Sequence, residues 1–413
     1  MEHRTARPAP AARRRARRGP PGRGALTAPA ALLAAALLTT ALTVTALLHR
    51  DPPQPPGAAP PGPVLSRYET AAAGNTIDRD CGYSVPLTGR RSLWLFCDSI
   101  WKGTHPGLAL GATAATGTAA PGRVPTDLTE LPTPTTGTGT GTGATPPATA
   151  APADRPPQPL LATPPGLLLP GGTPCRLPGT AYSASWISGA TRLPADGTVL
   201  LTYTDVCAHG ATITAQGYGI AAYRPADGTL NGQTRVFTLP GGLPFQLNLG
   251  SPVLRDGHLY LYGSTCDTWT AAACAAGRVT LARVPADPAA RRDPSAYRYW
   301  SPAGWTPDAS LAQTVVPGAA PAAVHIADYT AAGKGLVLIE QRGLDGRYRL
   351  WRAPAPQGPW RPAGGGALPC SGGSGSDQCR AFIGHPELST TAALLMSHYN
   401  PADRHVTVHA VPW

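Results

Sequence analysis

The feature that most constrains this chain is a unit of two short strands that recurs five times. Each copy has a first strand, a turn and a more apolar second strand. Because repeated β units of this kind bury their faces against their neighbours around one axis, the recurrence predicts an all-β, five-bladed β-propeller. The copies are Cys81–Pro86 with Ser92–Asp98, Ser183–Ile187 with Thr198–Asp205, Gly250–Leu254 with His258–Ser264, Ala323–Ala327 with Gly335–Gln341, and Ile383–Leu388 with Ala393–Tyr399.

Turn chemistry and composition agree with this prediction. Asp-Gly, which supplies the positive φ angles of tight hairpins, occurs at 196–197, 227–228, 256–257 and 345–346. The chain contains 49 Pro and 48 Gly among 413 residues, so little of it can be long helix. A β-sandwich would also show many short strands and is the competing fold. The five-fold recurrence favours the propeller.

The positive charge is concentrated before the repeats. The net charge is +11, and residues 1–24 hold eight Arg against the single acid Glu2. An uncharged apolar run follows at 25–48, long enough for a bilayer of ~30 Å. We therefore interpret 1–24 as a basic cytoplasmic tail and 25–48 as a transmembrane or signal-anchor helix, because positive residues remain inside. The basic tail is thus explained as a membrane-topology signal rather than as a nucleic-acid-binding patch, so no nucleic-acid partner is expected.

The remaining organisation follows from composition. A Pro-rich linker is expected at 49–66, and the propeller domain at 67–413. A Thr-, Gly- and Pro-rich stretch at about 104–173 predicts a long loop or disordered insertion within that domain. The predicted location is the cell membrane, single-pass with an extracellular C-terminal domain. The alternative is secretion after cleavage of the signal.

The cysteines also favour export. The chain has eight, an even number, and an oxidising compartment favours disulfides. Nearest-neighbour pairing would place each bridge within one local β unit, although eight cysteines allow 105 pairings. The pairs of this hypothesis are Cys81–Cys97, Cys175–Cys207, Cys266–Cys274 and Cys370–Cys379.

Several segments carry a resemblance to a known group of proteins. Asp80-Cys81-Gly82-Tyr83-Ser84, which leads to Leu93-Trp94-Leu95-Phe96-Cys97-Asp98-Ser99, resembles the opening blade of secreted bacterial propellers. His385-Pro386-Glu387-Leu388-Ser389 adds to the likeness. The chain resembles an exported actinobacterial β-propeller family that is itself similar to five-bladed glycoside-hydrolase-type, arabinanase-like propellers. The resemblance covers 67–413 apart from the insertion.

The resemblance implies a set of catalytic carboxylates in a central funnel. Asp80 matches the position of the base, and Asp205 is a loose match for the orienting acid. The position of the glutamic acid on a middle blade has no match, because no Glu lies between 130 and 340. Either an Asp substitutes, or Glu340 or Glu387 acts from a later blade, or the scaffold is not that hydrolase. Glu387 lies on the last blade, which neighbours the first once the ring closes. Each of these acids also has an ordinary structural interpretation, as a turn cap or an ion-pair partner.

Four further residues are candidates for ligand binding. Asp98 ends an apolar strand, where it could bind a sugar hydroxyl or cap a turn. Trp186 lies on a first strand and offers a flat face for a sugar ring, or packs between blades. His325 and His385 lie on first strands, where they could tune an acid or simply pack in the core. We assign no metal ligand, and the cofactor is unknown.

Three functions are consistent with these observations. The first is an exported, membrane-tethered or secreted propeller that binds a carbohydrate or cell-envelope polymer in its funnel. The second is a glycoside hydrolase with paired carboxylates. The third is a cell-surface scaffold for protein interactions. Convergence of the candidate acids in one funnel distinguishes the enzyme from the other two.

Overall fold

A computed structural model describes the propeller part of the chain. The described residues are 64–68, 77–101, 108–132, 134–136, 157–169, 172–175, 181–209, 212–238, 250–270, 273–370, 379–400 and 405–413. The basic tail, the apolar run at 25–48 and most of the Pro-rich linker lie outside them. Among the described residues, no helix has the length and apolar character needed to cross a membrane.

The described residues form short antiparallel strands and four 3-10 turns. The turns are Ala290–Arg292, Pro294–Ala296, Ala309–Leu311 and Thr330–Ala332. The strands in chain order are β1 (Val64–Tyr68), β2 (Ile77–Pro86), β3 (Arg91–Trp101), β4 (Leu108–Ala109), β5 (Thr113–Thr118), β6 (Thr129–Glu130), β7 (Thr135–Thr136), β8 (Ala181–Arg192), β9 (Val199–His209), β10 (Thr212–Arg224), β11 (Thr229–Thr238), β12 (Gly250–Arg255), β13 (His258–Trp269), β14 (Cys274–Pro285), β15 (Arg298–Ser301), β16 (Gly304–Thr306), β17 (Ala323–Asp328), β18 (Leu336–Gln341), β19 (Arg347–Ala353), β20 (Arg361–Ala367), β21 (Arg380–Gly384), β22 (Ala393–Asn400) and β23 (His405–Pro412).

These strands form five sheets, and the predicted five-bladed propeller is confirmed. From the axis outward, blade 1 is β2-β3-β5-β6, blade 2 is β8-β9-β10-β11-β7, and blade 3 is β12-β13-β14-β15-β16. Blade 4 is β17-β18-β19-β20, and blade 5 is β21-β22-β23-β1. Each inner strand contacts the inner strands of both neighbouring blades, and β21 contacts β2. The sheets therefore close into a ring, which a β-sandwich would not do.

The first described strand closes this ring. β1 pairs antiparallel with β23 as the outermost strand of blade 5, so one blade combines both ends of the domain. The inner strands begin at one face of the ring, which we call the upper face, and end at the other, the lower face. Contacts between the starts of β2 and β21 define the upper face, as described below for Asp80 and Arg380.

The core lies between blades, which explains why the second strands are apolar on both sides. On β3, Leu93 and Leu95 pack towards blade 2, whereas Trp94 and Phe96 pack against blade 5. All four are fully buried. Because successive side chains point to opposite faces of a strand, a strand buried on both faces must be a continuous apolar run, and this is the pattern that the sequence shows.

The tight turns take the predicted form. Asp256 and Gly257 connect β12 to β13 with φ angles of 49° and 71°, the doubly positive combination of a type I′ hairpin turn. At 196–197 and 227–228 the Asp side chain accepts a hydrogen bond from the backbone N–H two residues later. Both the positive φ of Gly and the short Asp side chain are needed at such turns.

The Thr-, Gly- and Pro-rich segment at 104–173 differs from the expected unstructured insertion. Part of it supplies β5 and β6 of blade 1 and β7 at the edge of blade 2. Leu160 and Leu161 are buried in the core between blades 1 and 2. Small residues such as Ala114 and Ala115 pack tightly in a sheet, so low complexity in composition did not mean absence of a core.

Candidate active site

The upper face carries an ion pair between blades 1 and 5. Arg380, at the start of β21, donates from Nε to Asp80 Oδ2 at 2.6 Å. The other carboxylate oxygen of Asp80 accepts from the backbone N–H of Cys81 at 2.8 Å. The guanidinium of Arg380 also lies 4.1 Å from the ring centroid of Tyr399. The Asp80 side chain is 16% exposed, so it is held in place but reachable from solvent.

A second carboxyl group lies near Asp80 on the same blade. Asp98, near the end of β3, accepts a hydrogen bond at Oδ2 from the hydroxyl of Tyr182 at 2.6 Å. Burial raises the pKa of Asp98 to about 6, and the charge of Asp80 also raises it. The hydrogen bond from Tyr182 and the charge of Arg380 lower it again. Together these effects leave Asp98 with a pKa of about 6. Its carboxyl group therefore exchanges its proton near neutral pH, beside the ion-paired carboxylate of Asp80.

Local backbone geometry brings these two acids together. β2 and β3 are paired, but the register shifts on both sides of Cys81, which has a φ of 75°, and Gly82 has a φ of 92°. Positive φ at a residue other than Gly is uncommon and marks a distorted site. The disulfide Cys81–Cys97 joins the residues that follow Asp80 and precede Asp98. A bulge and a cross-link therefore fix the strands that carry both carboxyl groups.

Three neighbouring blades contribute to this cluster, which we call the acid pair site: Asp80 and Asp98 from blade 1, Tyr182 from blade 2 and Arg380 from blade 5. Tyr182 and Arg380 lie at the starts of the inner strands β8 and β21. The charges of Asp98 and Asp80 both raise the pKa of the Tyr182 hydroxyl, after burial as the largest cause. The tyrosine therefore remains a hydrogen-bond donor.

The structure places Asp205 away from the acid pair site. Its side chain is 3% exposed and accepts from Arg235 Nε at 2.6 Å. It also accepts from the Ser185 hydroxyl at 2.7 Å. Arg235 lies on β11, the fourth strand out from the axis, so this ion pair spans blade 2. The geometry assigns Asp205 a structural ion pair, and its predicted part in catalysis has no support from its position.

Glu387 lies towards the lower face. It accepts a hydrogen bond from the hydroxyl of Ser84, which also bonds Nδ1 of His385 at 2.7 Å. Ser84 is four residues beyond Asp80 on β2, a separation of roughly 10–13 Å. Glu387 follows the end of β21 rather than its start, so it contacts Ser84 rather than the Asp80–Arg380 pair, and its meeting with Asp80 in one funnel stays a prediction.

The two candidate histidines are both buried. His325 accepts from the backbone N–H of Gly384 at 3.2 Å, and its ring lies 5.9 Å from that of Tyr83. Burial lowers the pKa of His325 to about 4. His385 lies 4.9 Å from the ring of Trp94, and burial and the neighbouring His325 lower its pKa to about 3. Both imidazoles are therefore neutral groups in the protein interior.

The two tryptophans that could stack on a sugar ring lie on different blades. Trp186 on β8 is half-buried and packs against the core between blades 1 and 2. No hydrogen-bond partner is assigned to its buried indole N–H. A sugar-stacking role for Trp186 remains a prediction. Trp269 is 49% exposed at the end of β13, where the second strand of blade 3 reaches the upper face.

The disulfide hypothesis is confirmed. All eight cysteines form the four nearest-neighbour pairs. Within the described part of the chain, both clusters of three His, Cys or carboxylate side chains that could hold a metal contain a disulfide pair, which leaves no thiolate to coordinate.

Sequence reasoning missed Tyr182 and Arg380. Their partners are 84 and 300 residues away in sequence, so no local motif joins them. The signal that could have found them is positional, because each lies at the first or second residue of an inner strand. Once the blades are aligned, those positions meet around one mouth.

Comparison with known proteins supports the fold. No protein-family model matches the chain, and no curated protein matches it. A candidate hydrolase from Bacteroides ovatus superposes with a TM-score of 0.50 and 16% identity over 82% of this chain and 90% of that chain. A family 117 glycoside hydrolase from Zobellia galactanivorans gives 0.44 and 11% over 85% and 89%. A GH43 β-xylosidase/α-arabinofuranosidase from a compost metagenome gives 0.40 and 8% over 86% and 95%. The superposition with the Bacteroides ovatus protein covers most of both chains and supports the fold.

Proposed function

We propose that the protein is a glycoside hydrolase whose proton donor is Asp98 and whose second carboxyl group is Asp80. The observation that carries the proposal is the meeting of two carboxyl groups at a solvent-reachable mouth, Asp80 held by Arg380 and Asp98 held by Tyr182, with the pKa of Asp98 raised by burial to about 6. Glycosidic bond cleavage needs one carboxyl group that holds a proton and one that is ionised. Different environments for two neighbouring acids supply that division of roles.

The proposed reaction uses each group of the acid pair site. Asp98 transfers its proton to the glycosidic oxygen as the bond from that oxygen to the anomeric carbon breaks. Asp80 either removes a proton from a water that attacks the anomeric carbon, or attacks that carbon itself to form a glycosyl ester. In the second case the Asp98 carboxylate then deprotonates a water that hydrolyses the ester and releases Asp80. The Tyr182 hydroxyl, 2.6 Å from Asp98, stabilises the carboxylate that forms on proton transfer. Arg380 holds Asp80 in place and keeps a positive charge beside both acids.

The substrate class follows from the predicted location of the protein. Four disulfides are typical of an oxidising compartment outside the cytoplasm, and the tail and apolar run predict tethering or secretion. A carbohydrate of the cell envelope or its surroundings is therefore the polymer that such an enzyme would meet. The fold neighbour from Bacteroides ovatus is itself described as a candidate hydrolase, which is consistent with this proposal.

A panel of neutral and acidic polysaccharides tests the proposal. We expect release of reducing ends from at least one of them, and the anomeric configuration of the first product, read by NMR, identifies the role of Asp80. Asp98→Asn and Asp80→Asn should each lower the rate ~10²–10⁴-fold. Asp256→Asn, in an exposed turn where Asn tolerates the positive φ of 49°, is the matched control.

The alternatives predict other outcomes. Binding of a glycan without hydrolysis, unchanged in Asp98→Asn, would replace the enzyme by the binding function. A loss of hydrolysis in Asp205→Asn or Glu387→Gln, with Asp98→Asn fully active, would show that the acids were assigned wrongly. Neither binding nor hydrolysis of any glycan would leave the scaffold as the best function.

A further inference from the structure

The lower face contains a cavity that the acid pair site does not use. Its volume is about 430 Å³, and it lies where blade 5 meets blade 1. The turn between β2 and β3 forms one wall, and the segment after β5 forms another. The turn that carries Glu387 closes it from blade 5. The residues of its wall that matter for the argument are Pro86, Arg90, Arg91, Ala120, Arg123 and Glu387.

Backbone hydrogen bonds hold the walls together. Ala119 N–H donates to the carbonyl of Arg90 at 2.7 Å, which fixes the β2–β3 turn to the segment after β5. Gly122 N–H donates to the carbonyl of Leu388 at 2.7 Å, which fixes that segment to blade 5. The cavity is therefore bounded by connected segments, and its shape is preserved as long as the ring is closed.

The charge of the wall is strongly positive. Three guanidinium groups face one carboxyl group, and the three arginines are exposed. Arg91 donates from Nη2 to the Thr116 hydroxyl at 3.0 Å. Glu387 is engaged by the Ser84 hydroxyl, and burial raises its pKa, so the acid neutralises the arginines poorly.

Three exposed arginines elsewhere among the described residues have an acidic partner. Arg224, Arg278 and Arg347 each form an ion pair with a nearby Asp. Arg90 and Arg123 form no ion pair with any residue that the structure describes. Two planar cations without a carboxylate, at the rim of one cavity, are suited to a planar or tetrahedral anion, which guanidinium groups bind through paired N–H donors.

We propose that this cavity binds an anionic group, namely a phosphate, sulfate or carboxylate, through Arg90 and Arg123. Arg91 adds positive charge to the wall. The group could be a free anion or a substituent of an acidic polymer, since both offer the same oxygens. The site lies on the face opposite the acid pair site, so it would hold a charged ligand or a polymer strand independently of hydrolysis.

Calorimetric titration of the full chain at low salt tests the proposal. The free probes are inorganic phosphate, sulfate and galacturonate, and the polymers are polyphosphate, dextran sulfate and polygalacturonate, with uncharged dextran as the reference. We expect at least one anionic probe to bind and dextran not to bind there. The double variant Arg90→Gln/Arg123→Gln should weaken binding about tenfold or more. Arg361→Gln, an exposed arginine on β20, should bind as the wild type does.

Two further measurements keep the test decisive. Added salt should weaken binding to the wild type, and Glu387→Gln, which removes the only acid among the named wall residues, should change binding little, because burial raises the pKa of that acid. Binding of polymers alone would identify a substituent, and binding of small anions too would identify a free anion site. If no anionic probe binds, or if a folded double variant binds as tightly as Arg361→Gln, the proposal is wrong.

Discussion

Acidification should destabilise the propeller through histidines that folding keeps neutral. Burial lowers the pKa of His325 to about 4. Burial and the neighbouring His409 lower the pKa of His398 to about 3. In the unfolded chain an imidazole has a pKa of about 6.5. Because the unfolded state binds more protons below that pH, stability is complete above pH ~6.5 and is lost as the pH falls towards 4.

The size of this pH effect depends only on proton uptake by the unfolded chain, since the imidazoles of His325 and His398 remain neutral in the folded protein near pH 5. Between about pH 7 and pH 5, proton uptake stabilises the unfolded chain by about 2 kcal/mol for each of His325 and His398. Asp98 opposes this effect by about 1 kcal/mol, because its raised pKa lets the folded state bind a proton first. His385 and Glu387 are left out of the sum: burial lowers the pKa of His385 and raises the pKa of Glu387, so their effects on stability at low pH oppose each other.

Urea unfolding followed by tryptophan fluorescence measures the difference. We expect the free energy of unfolding to be about 3 kcal/mol lower near pH 5 than near pH 7. His398→Leu should reduce that difference by about 2 kcal/mol whatever its effect at pH 7. His209→Asn, at an exposed strand end, should leave it unchanged. Equal stability at both pH values, or a variant that keeps the full difference, would show that these imidazoles are not held neutral.

Two other predictions concern the acid pair site and the cross-links. Replacing Tyr182 by Phe removes a donor to the Asp98 carboxylate, so the alkaline limit of the pH–activity profile should move up by about one pH unit; a downward shift or none would contradict the role given to Tyr182. Replacing both Cys175 and Cys207 by Ala opens a cross-link between residues 32 apart and should lower the free energy of unfolding by about 3.5 kcal/mol, measured in urea against the wild type; equal stability would show that the cross-link does not restrict the unfolded chain.

The fold could be predicted from the sequence because its information is local and repeated. Because each second strand is buried on both faces, it appears in the sequence as an apolar run. Each Asp-Gly dipeptide determines the geometry of its own turn. The prediction failed where composition hides packing: Ala114 and Leu160 are buried within a stretch that resembles a linker. A deletion joining Leu110 to Gly171 would remove β5 and β6 of blade 1, so we expect it to destabilise the domain.

The site was harder to predict, because closure of the ring decides which residues meet. Asp80 and Asp98 lie on adjacent strands, and both were candidates from the sequence. Asp80 and Glu387 contact different partners although their blades are neighbours, because a strand has two ends. The order of the blades determines which strands are adjacent. The position of a residue along its strand determines whether its side chain lies at the upper or the lower face of the ring.

The acid pair also shows how a propeller can use so short a span of sequence for the proposed chemistry. The bulge at Cys81 and the disulfide Cys81–Cys97 restrict the two strands that hold Asp80 and Asp98. A catalytic group works best when its position is fixed before the substrate arrives. Arg380 then ties this pair to blade 5, the blade that closes the ring. Opening that blade would separate the arginine from Asp80, so the integrity of the ring and the proposed chemistry depend on the same contact.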